Sequence, residues 1–342
     1  MLSRNILSGA ICAIVLGCSA PAFAADDALI AAAKEEGRVV WYTTLVVNQV
    51  VKPIIEGFEQ KYGIKVDFVN APWQETAFRI INEGQAGGVR GDIFDSLPAF
   101  ASVEAAGLVA PFVPDSIAEY DPIYVDPNHL WTAHIVQPTS PAVNTEMVAE
   151  EDRPTTYEDL LAPQWKGKMA WTTSPSAGGP PGFIGTVLSS MGQEKGMEYL
   201  HKLADQDIAN IPSNQRVVLD RAASGENPLV LSIYNYHVPI SQGKGAPVEW
   251  LKMEPLQAHV GVVALLKDSP HPNAGKLLLD YILSEVGAQV QADAGYIPTH
   301  PKVDAKSKNI KPVENYEINL VTPQVFKDNI ASWVSVYDEI FK

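Results

Sequence analysis

Between residues 26 and 107 the sequence alternates repeatedly between helical and extended patterns, and this alternation constrains the fold more than any other feature. Repeated strand and helix patterns predict a parallel sheet covered by helices on both faces. With 342 residues, 46% of them hydrophobic, the chain is long enough for two such α/β units. The predicted elements of this region are helices at Asp26–Glu36, Asn48–Tyr62, Trp73–Gln85 and Ser102–Ala106, and strands at Arg38–Thr43, Lys65–Asn70 and Asp92–Asp95.

The remaining chain predicts two crossings between the units. The extended segment Leu130–Val136 is interrupted at Pro138–Pro141, where we place the first crossing. The apolar strand Val260–Leu266 brings the chain back. We therefore expect lobe 1 to comprise residues 25–135 and 260–300, and lobe 2 to comprise residues 136–259 with residues 301–342 packed on it. Further predicted elements are strands at 168–173 and 229–233 and helices at 213–223, 272–284 (extended by 287–294) and 322–341.

The N-terminus carries a sorting signal. Arg4 precedes an apolar run, Ile6–Leu16, that is too short to span a bilayer, and Ala22–Ala24 has the small-x-small pattern of a cleavage site. We predict a secretory signal peptide over residues 1–24 and a soluble protein in the periplasm. Val15–Cys18 also resembles a lipoprotein processing box, which would instead anchor the chain to lipid through its cysteine.

Net charge and cysteine content restrict which partners and which metal ligands the protein can have. The formal net charge of −15 makes nucleic acid and anionic lipid surfaces poor partners. Both cysteines, Cys12 and Cys18, fall in the predicted leader, so the mature chain is expected to have no disulfide and no cysteine-ligated metal. We expect a monomer that binds a small molecule and carries no cofactor.

One stretch combines a buried strand with a cluster of polar side chains. Leu229–Ile233 is rich in branched apolar residues and is followed at once by Tyr234, Asn235, Tyr236 and His237. In open α/β sheets, ligands bind outside the carboxyl ends of the strands. Alternatively, both tyrosine rings could pack at the edge of the core, with His237 solvated. That interpretation is adequate for any one of these residues alone, but the cluster of four favours a ligand site.

Three predicted loops share the same character. Each follows a strand and offers hydroxyl or backbone N–H groups just before a helix, where anions bind. Ordinary helix capping explains any one of them, but together with the tyrosines they indicate a shared cleft. The loop residues assigned to this cleft are Thr43, Thr44, Asp95, Ser96, Ser174, Ser176 and Gly178.

Two assignments stay open at this point. Arg216 is placed in the cleft as a bidentate partner for an anion, but an ion pair with Asp220 at i+4 explains it equally well. The scattered histidines form no zinc motif, and nucleophile-elbow and phosphate-loop motifs are absent from the sequence. A binding protein is therefore favoured, with a secreted α/β hydrolase or isomerase as the alternative.

Taken together, several segments resemble the periplasmic solute-binding components of bacterial ABC importers, in the branch that contains ferric-iron-binding proteins. The resemblance implies two α/β lobes joined by crossing strands, a ligand held between them, closure by a hinge, delivery to a membrane permease and no reaction. The segments that carry it are Val40–Thr44, Phe58–Tyr62, Ile64–Val66, Gly91–Asp95, Tyr157–Leu161, Trp165–Lys168 and Pro270–Lys276.

The same resemblance raises the question of iron. Iron-binding members use two adjacent tyrosines in the stretch that matches Ile233–His237; Tyr234 falls on the first, Asn235 falls on the second, and Tyr236 comes one residue late. Neighbouring side chains of an extended chain point to opposite faces, so the offset favours a small polar, anionic solute. The alternative is ferric iron bound by Tyr234, Tyr236 and His237.

Overall fold

We describe the protein from a computed structural model, which covers residues 27–306 and 317–342. The predicted leader and its cleavage site lie outside the described residues. The strands are β1 Arg38–Thr43, β2 Lys65–Asn70, β3 Ile93–Asp95, β4 Val109–Ala110, β5 Thr132–Asn144, β6 Met169–Thr172, β7 Ala209–Ile211, β8 Leu229–Tyr234, β9 Val248–Trp250, β10 Leu256–Leu266, β11 Ile297–Pro298 and β12 Ile318–Val321. The α-helices are α1 Asp27–Glu36, α2 Lys52–Tyr62, α3 Trp73–Gln85, α4 Leu97–Ala105, α5 Pro180–Met191, α6 Gln193–Ala204, α7 Gln215–Ala223, α8 His237–Gln242, α9 Pro272–Leu283, α10 Glu285–Asp293 and α11 Pro323–Ile340.

The described strands form one continuous sheet whose two ends are separate α/β units. Its main order is β2-β1-β3-β10-β5-β8-β6-β7. At one end β1 pairs in parallel with β2 and β3, and at the other β6 pairs in parallel with β7 and β8. Parallel pairs joined by helices give the two-lobed α/β fold that the alternation predicted.

Two long antiparallel strands, β5 and β10, join the units. Val136 of β5 is the register partner of Val260 of β10, so the two predicted crossings lie side by side. The ladder between these strands shifts register between Gly261 and Val262. A bulge of this kind bends and twists a strand locally, which places a bend between the two units.

The expected interruption at Pro138–Pro141 is wrong, because β5 runs unbroken through both prolines. Each proline lacks an N–H group, but its carbonyl remains in use. The carbonyl of Pro138 accepts from Asn235, and the carbonyl of Pro141 accepts from Leu251. The β5–β8 ladder also shifts register between Ser140 and Ala142, which accommodates the missing donor.

Two helix boundaries also differ from prediction. Helix α4 begins at Leu97 rather than Ser102, because Ser96 caps it by accepting from the backbone N–H of Ala99. The helix predicted to continue beyond Ser284 is two helices, since the Ser284 hydroxyl accepts from Gly287 and starts α10. A serine that caps a new helix competes with continuation of the old one.

Hydrophobic packing covers both faces of the sheet. Trp41 and Trp171 are fully buried in this packing. The C-terminal helix α11 packs on α5 and α6 and also on α4, so it touches helices from both ends of the sheet. None of the helices within the described ranges is long and apolar enough to cross a membrane.

Candidate binding site

The predicted tyrosine cluster lies where β8 ends. Tyr234 is the last residue of the strand, Tyr236 precedes α8, and His237 is the first residue of that helix. The rings of Tyr234 and Tyr236 stack with their centroids 5.3 Å apart, and the His237 ring lies edge-on to Tyr236 at 4.6 Å. The strand end therefore brings the three side chains together, with Tyr236 only 7% exposed.

A third tyrosine, which the sequence analysis missed, completes the stack from the other end of the sheet. Tyr296 lies between α10 and β11, and its ring stacks on Tyr236 at 4.3 Å. The Tyr236 side chain also lies close to that of Gln137 in β5. Tyr236 thus contacts both the crossing strand and the opposite unit. No local motif marks Tyr296, because the contact joins residues sixty positions apart.

Buried polar atoms around Tyr234 lack hydrogen-bond partners in the described structure. They are Thr139 Oγ1, Asn235 Oδ1, His237 Nδ1 and His259 Nδ1. Thr139 is the register partner of Tyr234, and the His259 ring lies 5.7 Å from the Tyr234 ring. An unpaired buried polar group costs about 1–3 kcal/mol, and a polar solute bound against Tyr234 would remove that cost.

The sequence also contains a pattern that indicates His259, which the predicted site did not include. Strand β10 is apolar except for Gln257 and His259, and both are buried. Polar residues in a buried strand require partners, so the pair indicates polar surroundings on one face of β10. Thr139 gives no comparable signal, because threonine is common in strands.

The Ser174–Gly179 loop lies directly against Tyr234. A methyl group on Gly178 would overlap the Tyr234 hydroxyl, so only glycine permits this approach. The hydroxyls of Ser174 and Ser176 lie 3.2 Å apart and hydrogen-bond to each other. The helix behind the loop begins with two prolines, which have no N–H groups. The loop therefore offers hydroxyls to a ligand, with fewer helix N-terminal donors than we expected.

The polar groups of the Thr43–Thr44 loop are hydrogen-bonded to Asp95. The Asp95 carboxylate accepts from the backbone N–H of Thr44 at 2.8 Å, from its hydroxyl at 2.7 Å and from Trp41 Nε1 at 3.0 Å. Burial raises the pKa of Asp95 to about 6, and its hydrogen bonds to Thr43 and Thr44 oppose that shift. The Thr44 hydroxyl points inward as a donor, so Asp95 orders the loop.

Ser96 and Arg216 both have partners within the protein. The Ser96 hydroxyl caps α4, as described above, and its backbone lies at φ 118°, outside the usual range for serine. Arg216 Nη2 lies 3.2 Å from Asp220, and Arg216 Nη1 donates to the His237 carbonyl at 3.1 Å. The i+4 ion pair is therefore present, and Arg216 also supports the turn that carries His237.

Burial keeps the aromatic cluster neutral. It raises the pKa values of Tyr234 and Tyr236 well above the ordinary value. It lowers the pKa of His237 to about 3 and that of His259 to about 4. Across the described ranges, His, Cys, Asp and Glu form no group of three or more that could hold a metal ion.

Comparison with known proteins establishes the family. The model of a family described as "Bacterial extracellular solute-binding protein" matches residues 91–319, which include both crossing strands and the tyrosine cluster. The chain belongs to this family. It is the substrate-binding component of an ABC importer and acts in the periplasm, binding a small ligand for delivery to the permease. The resemblance drawn from the sequence is thereby confirmed.

Its relatives include iron-binding proteins. A protein of Serratia marcescens named "Fe(3+)-binding periplasmic protein" is 21% identical over 265 residues, covering 76% of this chain and 77% of that protein. Iron-bound HitA from Pseudomonas aeruginosa has a similar structure, with a TM-score of 0.73 and 22% identity, covering 89% of this chain and 99% of HitA. AfuA from Actinobacillus pleuropneumoniae, with fructose-6-phosphate bound, has a TM-score of 0.73 and 23% identity, covering 89% and 98%.

Proposed function

We propose that this protein captures a small polar organic anion between the two ends of its sheet and presents it to an ABC permease. The observation that carries this proposal is the group of unpartnered, buried polar atoms around Tyr234, which includes Thr139 Oγ1 and His259 Nδ1. These groups are neutral, so they recognise a ligand through hydrogen bonds rather than by pairing charges. Each hydrogen bond to a charged acceptor contributes about 1.5–3 kcal/mol.

The contacts of the tyrosines favour an organic ligand over iron. Ferric iron would have to deprotonate Tyr234 and Tyr236, and burial raises the pKa of both. The Tyr236 ring is also packed on Tyr296, with the ring centroids 4.3 Å apart. Asn235, at the position of the second tyrosine, supplies a neutral amide whose Nδ2 donates to the Gly295 carbonyl at 3.2 Å. A phosphate ester or carboxylate needs no deprotonation of the site.

Ferric iron is retained as the second candidate because Tyr234, Tyr236 and His237 converge, with ring centroids 4.6–5.6 Å apart. Iron bound by tyrosinate absorbs visible light, whereas a complex with an organic anion is colourless. We expect the protein to remain colourless after incubation with ferric citrate and desalting. A charge-transfer band that disappears in Tyr234→Phe would contradict the organic-anion proposal and establish iron.

Native mass spectrometry tests the organic ligand directly. Protein purified without refolding should carry an added mass, and that mass should be lost after denaturation and refolding in clean buffer. Tyr234→Phe should carry less of it, because the hydroxyl beside Gly178 is removed. A calorimetric titration with the released compound then gives the affinity. Turnover of that compound by the purified protein would instead support the hydrolase or isomerase alternative; we propose that the protein catalyses no reaction.

The lobe boundaries and processing are also proposed. We assign residues 25–135 and 260–300 to lobe 1 and residues 136–259 and 301–342 to lobe 2, in keeping with the pairing of β5 with β10. We further propose cleavage after Ala24, which would release a monomer with no affinity for nucleic acid into the periplasm. The intact mass of the exported protein tests the cleavage: a lipid-modified chain beginning at Cys18 would contradict it.

A further inference from the structure

Two buried glutamines hold three successive carbonyls of the Ser174–Gly179 loop. Gln257 Nε2 donates to the carbonyl of Ala177 at 2.7 Å and to that of Gly179 at 3.2 Å. Gln215 Nε2 donates to the intervening carbonyl, that of Gly178, at 2.9 Å. Gln257 is 2% exposed and Gln215 is 7% exposed. All three carbonyls are therefore tied to amides of the protein interior.

The orientation of the Gln257 amide is fixed from its other side. Its oxygen, Oε1, accepts from the hydroxyl of Ser232 at 3.3 Å, so Nε2 must face the loop. Ser232 lies within β8 but has φ 54°, a left-handed conformation that is unfavourable for a non-glycine residue. The fold maintains this strain where Ser232 meets Gln257. Strained residues of this kind cluster at binding sites.

The helix behind the loop leaves room for this contact. A methyl group on Gly182 would overlap the Ala177 carbonyl and lie 2.7 Å from Gln257 Nε2. Glycine at the start of α5 is thus needed for Gln257 to reach the loop backbone. Gly178 permits the approach of Tyr234 from the side of the sheet, as described above. The two glycines let the loop pack between Tyr234 and the Gln257 amide.

Gln257 also belongs to a strand that crosses between the lobes. In the sheet, Gln257 of β10 is the register partner of Thr139 of β5, which is in turn the register partner of Tyr234 of β8. Register partners direct their side chains to the same face of a sheet. The loop clamp, the unpartnered Thr139 hydroxyl and the ligand-facing tyrosine therefore lie in one row across the crossing strands.

From this arrangement we propose that Gln257 is a positioning residue, which holds the Ser174–Gly179 loop in its solute-binding geometry from a crossing strand. It acts on the solute through the loop, with Gln215 holding the middle carbonyl. The proposal rests on the proposed function, because the loop matters only if it contacts the solute. A shift of β10 during lobe closure would move the loop with it, and the binding groups would be set by closure.

Hydrogen exchange without any ligand tests the positioning directly. Gln257→Met keeps the length of the side chain but removes both donated bonds. We expect exchange of the hydrogen-bonded amides of Ser176, Gly179 and Phe183 to accelerate about tenfold relative to the wild type, because the loop loses its restraint. The matched control is Gln291→Met, which removes another buried glutamine, in α10, that donates to Ile282. It should leave exchange in the loop unchanged. Equal acceleration in both variants, or none in Gln257→Met, would overturn the proposal.

A binding measurement supplies the second readout. Inorganic phosphate and citrate are the probes, titrated into the wild type, Gln257→Met, Ser176→Ala and the double variant. If Gln257 acts through the loop, its loss should weaken binding about tenfold, and the effect should be less than additive with Ser176→Ala. Strict additivity would overturn the coupling. If neither probe binds the wild type, the organic-anion proposal is weakened, while the exchange result still decides the role of Gln257.

If Gln257→Met does not fold, a second variant tests the same proposal. Gln215→Met removes only the bond to Gly178 and leaves the crossing strand intact. The same exchange experiment should then show faster exchange at the Gly179 amide, which donates to the Ser176 carbonyl, with protection in α3 unchanged. Unchanged exchange at this amide would overturn the clamp.

Discussion

At the scale of single residues, the Tyr234 hydroxyl is the group best placed to meet a solute. It lies against Gly178 of the serine-containing loop, and its ring is flanked by His237 and His259. The bond that Tyr234 donates should strengthen with negative charge on the acceptor. The neighbouring imidazoles are neutral, so the phenol carries a large share of the polar recognition.

We expect Tyr234→Phe to weaken solute binding about tenfold to a hundredfold, which corresponds to one lost hydrogen bond to a charged group. Its unfolding free energy should stay close to that of the wild type. Tyr120→Phe is the matched control: its hydroxyl donates to the Leu283 carbonyl at 2.7 Å away from the site. That variant should lose about 1 kcal/mol of stability and keep its affinity. Calorimetry and urea unfolding measure both, and equal affinities in the two variants would contradict the role of Tyr234.

The cluster at Tyr234 could be predicted from the sequence because its residues are consecutive. Tyr296 could not, because its partner Tyr236 lies on another element and only the folded sheet brings them together. For Asp95, the sequence predicted the place at the end of β3 but not the hydrogen bonds. Its carboxylate turns towards Thr44 and Trp41 because a buried charge requires several donors, and the position in the chain does not reveal this.

At the scale of elements, the boundary between α9 and α10 shows what periodicity misses. The apolar pattern continues across Ser284, but the chain turns there so that α10 packs back on the end of α9. Gly287 makes the turn possible: a side chain there would overlap the carbonyls of Tyr281 and Ile282. Strands and helices with a clear pattern were predicted well, whereas the cap and close approach that end α9 were not.

Gly287→Ala should therefore destabilise the protein by about 2 kcal/mol or more, as expected when a new atom must displace backbone. Gly88→Ala provides the control, because nothing lies within 4 Å of the new methyl group there and alanine restricts the unfolded chain. We expect Gly88→Ala to be neutral or slightly stabilising. Thermal and urea unfolding of the two variants compare them. A Gly287→Ala protein as stable as Gly88→Ala would show that α10 can move away without cost.

At the scale of the whole molecule, buried histidines make stability depend on pH. Burial lowers the pKa of His134 to about 4, as it does for His259, and that of His237 to about 3. Protons therefore bind the unfolded chain more readily than the folded one, and stability is lost as the pH falls from about 6.5 towards these values. Asp95, whose pKa is raised to about 6, opposes this trend because it destabilises the fold as it ionises.

We expect the free energy of unfolding to fall between pH 7 and pH 5 by about 2 kcal/mol for each such histidine. His134→Asn should remove the part of this loss that His134 causes. The structure should be kept, because asparagine can still donate to Gln291, the partner of His134 Nδ1 at 2.9 Å. His201→Asn, on the exposed face of α6, should retain the slope of the wild type. Urea unfolding midpoints at the two pH values measure the loss of stability in each protein. Identical slopes in all three proteins would show that His134 does not contribute to the acid response.

Under the proposed function, the burial of the site requires the lobes to move. Ser176, Tyr236 and His259 are each less than 9% exposed, so a solute reaches them only when the ends of the sheet separate. The crossing strands β5 and β10 and their register shift at Gly261 provide the place to bend. The solute-free protein should therefore have a larger radius of gyration in small-angle X-ray scattering than the arrangement in which these residues are buried. Saturating solute should reduce it and raise the melting temperature by mass action. A radius that does not change at saturation would contradict hinge closure.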